Sequence, residues 1–290
     1  MRKYLKFVVL TLLAALILWW FGRQLDWAAV WDDLGRSDRR LVAAAVGLVC
    51  ATYLIRALRW RALLRPLAPG ASLRELFAAT TVGFGAIFLV GRAGEVLRPA
   101  FLPLRDRRVS PAAAFVTIAV ERIYDMAAIV LLFAGNLLFL RAPEGASAQT
   151  FARAREAGFV LLALAILGLA ALVLFRLYSE RVVARVGASV ARLPNFLARV
   201  GRVLTHLLEQ LARSLRVLVD ARELLVTVGW TALLWAAIAA ANLLVYHAFG
   251  LPLGVSETVF VMGWSLVGSV VPTPGGGAGT FHLATAAGLL

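Results

Sequence analysis

The sequence predicts an all-α integral membrane protein, a polytopic helical bundle with about 6–8 membrane segments. Three observations lead there. Several apolar runs reach or approach the ~20 residues that a spanning helix needs. The chain is 61% hydrophobic with mean hydropathy +0.84, well above the roughly 45–50% apolar content of soluble domains. Its charge is gathered into short stretches between the apolar runs. The formal net charge is +14, almost all of it from arginine, since Lys3 and Lys6 are the only lysines. In a soluble protein such a balance suggests nucleic acid. Here no soluble basic module exists to grip it, and the arginines read as a positive-inside topology signal and as contacts for anionic headgroups. Cys50 is the single cysteine and lies in an apolar run, which excludes a disulfide framework and a thiolate metal site. His206, His247 and His282 are scattered, so no metal spacing appears, and no cofactor motif is present.

The chain starts with the basic residues 1–6 and an apolar run at 7–21. Gly22-Arg23-Gln24-Leu25 offers no small-residue cleavage site, so this is an uncleaved first span with a cytoplasmic N-terminus rather than a signal peptide. The loop 22–40 carries charges of both signs with Trp27 and Trp31, which suit a membrane interface. A second span is predicted at 41–58. After it, Arg56, Arg59, Arg61, Arg65 and Arg74 read as a basic cytoplasmic connector.

The apolar segment 76–90 has arginine on both flanks, with Arg92, Arg98, Arg105, Arg107 and Arg108 on its far side. A simple span would place one basic cluster outside, against the positive-inside bias. The segment is short and interrupted by Gly83, Gly85 and Gly91. A re-entrant hairpin near 76–98, with the short segment at 76–92, removes the conflict; an ordinary short helix with untypical flanks is the alternative. Irregular backbone at that depth requires cover by protein or a cavity.

Pro111 suits the first turn of a helix that runs over 111–140. Glu121, Arg122 and Asp125 lie inside this apolar run. Glu121 and Asp125 share a face, and Arg122 can pair with Asp125 three positions on. Ionised groups at membrane depth cost ~2.5–3.5 kcal/mol each even on the lenient scale, so they face a bundle interior or a polar cavity. They serve either as a structural ion pair between helices or as a headgroup contact. A span at 158–175 follows. Within the basic stretch after it, Leu197, Val200, Leu204, Leu207, Leu211, Leu215 and Leu218 recur at three- and four-residue spacing. That pattern predicts an amphipathic cytoplasmic surface helix over 196–220.

A span at 224–249 leads to a connector, 250–257, with no arginine or lysine, consistent with the outside. The apolar segment 258–271 ends in Pro272-Thr273-Pro274-Gly275-Gly276-Gly277-Ala278-Gly279-Thr280-Phe281-His282. Two prolines and four glycines predict an irregular turn, and with it a second re-entrant hairpin near 258–280. The last run, 283–290, is too short to span, so a trimmed C-terminus is expected.

Three motifs, Gly91-Arg92-Ala93-Gly94-Glu95 through Arg98, then Glu121-Arg122 with Asp125, then Pro272 to Gly279, resemble the lysylphosphatidylglycerol synthase transmembrane-region proteins. This flippase-like membrane domain also occurs as stand-alone bacterial and archaeal proteins. With the order of apolar segments, the resemblance covers nearly the whole chain. It implies a multi-pass inner-membrane protein in which the domain moves a lipid between leaflets. His282 stands where the family often carries an acid shortly after the Gly-rich turn. No soluble aminoacyl-transferase region appears, so lysyl-lipid synthesis is not carried over.

The residues support transport on their own terms. Each of the two motifs at 91–98 and 272–282 follows a short, glycine-interrupted apolar segment, and paired broken segments mark a transporter's midplane site. Arg92, Arg98 and Arg122 suit a phosphate. Glu95, Glu121 and Asp125 would neutralise them when no lipid is bound. Gly275, Gly276 and Gly277 would present backbone amides, with His282 beside them. The expected partner is a membrane lipid, an anionic phospholipid or a polyprenyl-phosphate lipid. The alternatives are a non-transporting scaffold or an intramembrane lipid-modifying enzyme, although no nucleophile–base pair is apparent.

Overall fold

The structure, a computed structural model, describes residue 23, residues 26–90, 94–139, 221–270 and 278–289, and single positions or short runs between 156 and 209. Every regular element among them is helical. Eight helices have defined bounds: α1 (Trp27–Arg36), α2 (Arg39–Leu64), α3 (Leu73–Val90), α4 (Gly94–Arg105), α5 (Pro111–Phe139), α6 (Ala221–Ala248), α7 (Val255–Val270) and α8 (Ala278–Leu289). The described residues between Glu156 and Glu209 are helical as well. Among the described residues, two helices, α2 and α6, are long and apolar enough to cross a membrane. The first apolar run at 7–21 and most of 196–220 lie outside the described residues.

The chain forms two compact units. The first comprises Met1–Ala51, Thr81–Arg98 and Ala237–Leu290; the second comprises Thr52–Thr80 and Pro99–Ala236.

In the second unit, Ala57, Trp60 and Leu64 of α2 pack with Leu76 and Ala79 of α3, Leu102 of α4 and Ala113 and Ala114 of α5. The alanines let backbones approach closely, which is the packing currency of helices in lipid. The Trp60 indole N–H donates to Thr117 Oγ1 at 3.0 Å. Helix α5 starts where Ser110 caps it, its Oγ accepting from Ala113 N at 3.1 Å, with Pro111 in the first turn.

The segment expected to re-enter forms two antiparallel helices. At their open ends Arg105 pairs with Glu75 at 2.9 Å, and Ser72 N donates to Asp106 Oδ2 at 2.9 Å. In the first unit Gly83 faces Arg98, and Gly94 faces Ala86 and Ile87. A Cβ on Gly94 would lie 2.6 Å from Ile87 N, and one on Gly83 would lie 2.6 Å from Arg98 Cβ. Both glycines are therefore set by close approach. Helix α4 contains Pro99 and Pro103, which remove the bonds to the carbonyls of Glu95 and Pro99.

Also in the first unit, α6 ends at a Schellman turn. Gly250 has φ +72°, its N–H donates to His247 O at 3.1 Å, and Leu251 N–H donates to Tyr246 O at 2.9 Å. Helices α7 and α8 are antiparallel neighbours, tied by Ser265 Oγ and Thr285 Oγ1 at 2.7 Å and by Gly288 against Val261 and Trp264.

Two expectations are corrected here. Helix α2 runs over Arg39–Leu64, so Arg56, Arg59 and Arg61, read as part of a basic connector, are helical. The irregular stretch expected over 272–282 is shorter at its far end, because Ala278 to His282 already belong to α8.

Candidate functional site

The second unit holds a buried group of four charges. Glu121 and Asp125 stand one turn apart on α5 and both turn toward Arg59, which enters from α2. Arg59 Nη1 lies 2.6 Å from Asp125 Oδ1, and Arg59 Nη2 lies 3.2 Å from Glu121 Oε1. Arg122 closes the group: its Nη2 lies 2.9 Å from Glu121 Oε1 and 3.1 Å from Asp125 Oδ2. Helix α6 contributes Thr231, whose Oγ1 accepts from Arg59 Nη1 at 3.4 Å and donates to Thr227 O at 2.8 Å. Two guanidinium groups and two carboxylates balance, which is the condition under which charges survive burial.

Burial divides the four. The side chains of Arg59 and Glu121 are fully buried and that of Asp125 is 8% exposed, whereas Arg122 is 39% exposed. Asp125 is the middle residue of the 29-residue helix α5, so the group sits far from either end of that helix. Desolvating ions costs several kcal/mol each, and the compact two-by-two arrangement is what offsets it.

The first unit holds the other described candidates. Arg98 on α4 is 3% exposed. Its guanidinium sits 5.8 Å from the centre of the Phe84 ring, a cation–π distance. Glu95, half-buried, stands three residues earlier on the same helix. His282 is exposed near the start of α8, edge-on to Phe281 at 5.7 Å. Arg92, Gly275, Gly276 and Gly277 lie outside the described residues.

The residue that sequence reasoning missed is Arg59. Two signals pointed to it. No glycine or proline interrupts the chain between Gly47 and Pro66, so the helix has no reason to stop at residue 58. The α5 trio also carries two acids against one base, and a net charge at that depth calls for another cation.

Outside the helices, Asp106 ties the α4–α5 loop to the start of α3. Its Oδ1 accepts from Arg108 Nε at 2.8 Å and Arg108 N at 3.1 Å, and its Oδ2 accepts from Arg108 Nη2 at 3.0 Å and from Ser72 N. The hydrogen bonds from the Arg108 guanidinium hold this carboxyl below the ordinary carboxylate value, against the opposing effect of burial. Among the described residues, no group of three or more His, Cys, Asp or Glu side chains converges on a metal position.

Known proteins share this sequence pattern. A UPF0104 membrane protein of Pyrococcus horikoshii is 28% identical over 138 residues, covering 45% of this chain and 39% of that protein. The glycosyltransferase AglD of Haloferax volcanii is 30% identical over 138 residues, covering 46% of this chain and 22% of that protein. The chain thus spans well under half the length of the curated relatives it matches. No solved structure matches it. Residues 5–290 match the family described as the lysylphosphatidylglycerol synthase TM region. With a match over nearly its whole length, the chain belongs to that family of membrane domains.

Proposed function

We propose that the protein moves a phosphate-bearing anionic lipid between the leaflets of the cell's inner membrane. The observation that supports this reading best is the position of Arg122, the partly exposed member of an otherwise buried, charge-balanced group. A lipid phosphate can take the outer N–H groups of Arg122 in a charge-assisted bond. Arg59 meanwhile retains both carboxylates, so the exchange leaves no acid stranded in low dielectric. The passenger replaces one partner of Arg122 without dismantling the bundle.

Glu95 and Arg98 on α4, with Arg92 two residues before that helix in the sequence, form a second polar station in this scheme. The Pro/Gly-rich stretch 271–277 would offer the backbone amides of Gly275, Gly276 and Gly277, with His282 on the helix that follows. The cargo is an anionic phospholipid or a polyprenyl-phosphate lipid. The reading needs no cofactor and no nucleic acid, and it sets the chain across the membrane several times with a cytoplasmic N-terminus.

Purified protein in liposomes with a headgroup-labelled anionic phospholipid provides the test. Leaflet exchange by the native chain, lost in Arg122→Gln while the variant still folds and inserts, is the expected result. Normal exchange by Arg122→Gln would remove Arg122 from the lipid path. A second reading, a non-transporting scaffold, is favoured by the neutrality of the four-charge group, which suits a helix lock. That reading predicts no exchange by the native chain with any anionic lipid. A chemically altered lipid would indicate an enzyme instead.

A further inference from the structure

Helix α1 carries an exposed apolar stripe. Trp27, Val30, Trp31 and Leu34 follow the i, i+3, i+4, i+7 spacing of one helix face. All four are exposed, Trp31 at 67%, and no residue of α1 is buried. Both ends of the helix are nevertheless fixed. Asp26 caps the start, its Oδ1 accepting from Ala28 N at 3.0 Å and Ala29 N at 3.1 Å. At the other end Ser37 Oγ donates to Leu34 O at 2.8 Å. The next residue, Asp38, caps α2 through Arg40 N at 2.8 Å.

The position of α1 identifies what covers the stripe. Asp38 N–H donates to Ala248 O at 3.0 Å, so α1 leaves the bundle where α2 begins and α6 ends. Among the described residues, those two helices are long and apolar enough to cross a membrane. In a chain of this membrane-domain family, their ends would lie at the level of a membrane surface. At ten residues, or about 15 Å, α1 cannot cross a ~30 Å hydrocarbon core. Phe249, Leu251 and Val255, also exposed, continue the apolar surface beyond Ala248. Tryptophan favours the boundary between headgroups and acyl chains, where its ring is buried and its N–H stays wet. The polar side carries Asp32 and Asp33, and Arg36 pairs with Asp32 at 2.6 Å.

We infer that α1 lies in the lipid interface as an anchor strap, with its Trp27–Leu34 stripe in the headgroup–acyl boundary. This surface takes a lipid bilayer, and it takes it through apolar contact rather than charge. Along the helix and its cap three aspartates, Asp26, Asp32 and Asp33, stand against one arginine, Arg36, so the strap gains nothing from anionic lipid. It sets the depth of the bundle at the surface where α2 begins, independently of what the bundle carries.

The test uses the full chain with Cys50→Ser, in vesicles of pure phosphatidylcholine and of phosphatidylcholine with phosphatidylglycerol. Single cysteines replace Val30, Leu34, Asp33 or Gly35, and each receives a nitroxide label. All four positions are exposed, so none threatens the fold. Collision with oxygen, which enters lipid, is compared with collision with a water-soluble nickel chelate. The expected result is an oxygen-to-nickel ratio several-fold higher at positions 30 and 34 than at 33 and 35, and equal in both vesicles. Equal nickel access at all four positions would put the stripe in water and overturn the inference. Shielding of positions 30 and 34 from both reagents would mean a protein covers the stripe, a second copy included, and would overturn it too. A ratio that rises only with phosphatidylglycerol would overturn the apolar mode of attachment.

Discussion

Arg59 and Arg122 touch the same two carboxylates from different degrees of burial, and that difference separates their roles. Arg59→Ala removes the fully buried cation that pairs with both Glu121 and Asp125 and leaves them beside Arg122, which is 39% exposed. Breaking a buried ion pair from one side costs about 3–5 kcal/mol, enough to deplete folded protein, and heat-resistance of the purified variant in detergent would read the loss. Arg122→Ala leaves both acids with Arg59 and should retain most of that resistance. Equal losses for the two variants would show that Arg122 is as much a part of the lock as Arg59. A second residue-scale prediction concerns Asp106. Its carboxyl is held below its ordinary value by hydrogen bonds from Arg108, so the folded state binds this proton more weakly than the unfolded chain does. The stabilisation is complete above the ordinary carboxylate pKa of about 3.9 and is lost as pH falls through the folded value. Asp106→Asn should therefore melt below the native protein at neutral pH, with the gap closing as the pH drops below about 4. A gap that stays constant down to acid pH would assign the effect to the lost geometry alone. The acids and Arg122 were legible in the sequence because charges inside an apolar run are conspicuous. Arg59 was not, because it stands among five arginines near the end of an apolar run and looked like one more topology signal.

Glycines divide by what lies across from them, and this makes the α3–α4 pair testable as an element. Gly85 has nothing within 4 Å of a built Cβ, whereas Gly94 would meet backbone atoms of Ala86 and Ile87 at 2.6–2.9 Å. Alanine is favoured over glycine in a helix by roughly 1 kcal/mol. Gly85→Ala should thus be neutral or stabilising. Gly94→Ala must push two backbones apart, and overpacking of that kind costs about 1–3 kcal/mol. Gly83→Ala should fall between them, since it meets the Arg98 side chain stem and Cα, at 2.6 and 3.2 Å. Thermal midpoints in one detergent would rank the three, and an equal loss at Gly85 and Gly94 would contradict the close antiparallel packing. The sequence announced a break near Gly91 through its glycines and its arginines on both flanks. It could not announce which glycine serves the turn and which serves contact, because that depends on the register of the two helices. The second broken segment was read with a turn reaching His282. Its last five residues are instead helical, since α8 packs along α7 and the Ser265–Thr285 bond rewards a continued helix.

Contacts within each unit fix which parts of the long helices lie together. Arg65 pairs with Glu223 at 2.9 Å, so α2 ends where α6 begins. Asp38 bonds Ala248 where α2 begins and α6 ends. The two helices are therefore antiparallel, with Arg59 on Thr231 between them. The first of these ends is strongly basic: Arg61 and Arg65 are there, and the stretch that follows carries Arg74, Arg105, Arg107 and Arg108. The other end mixes Arg36, Arg39 and Arg40 with Asp32, Asp33 and Asp38, and its connector, 250–257, has no basic residue. Positive-inside bias predicts that the first end is cytoplasmic. Because Glu75 pairs with Arg105, the ends of α3 and α4 lie together, and the same bias predicts that residues on either side of the pair share one membrane face. With Cys50, the exposed native cysteine, replaced by serine, single cysteines at 65, 105, 36 and 257 would read this out. Positions 65 and 105 should react with an impermeant maleimide only after the cytoplasmic face is opened. Positions 36 and 257 should react in intact cells. Labelling of 65 and 105 from opposite faces would mean that α3 crosses the membrane alone. The Glu75–Arg105 pair could then not form within one inserted chain, and the case for a hairpin entering and leaving on the cytoplasmic side would fail.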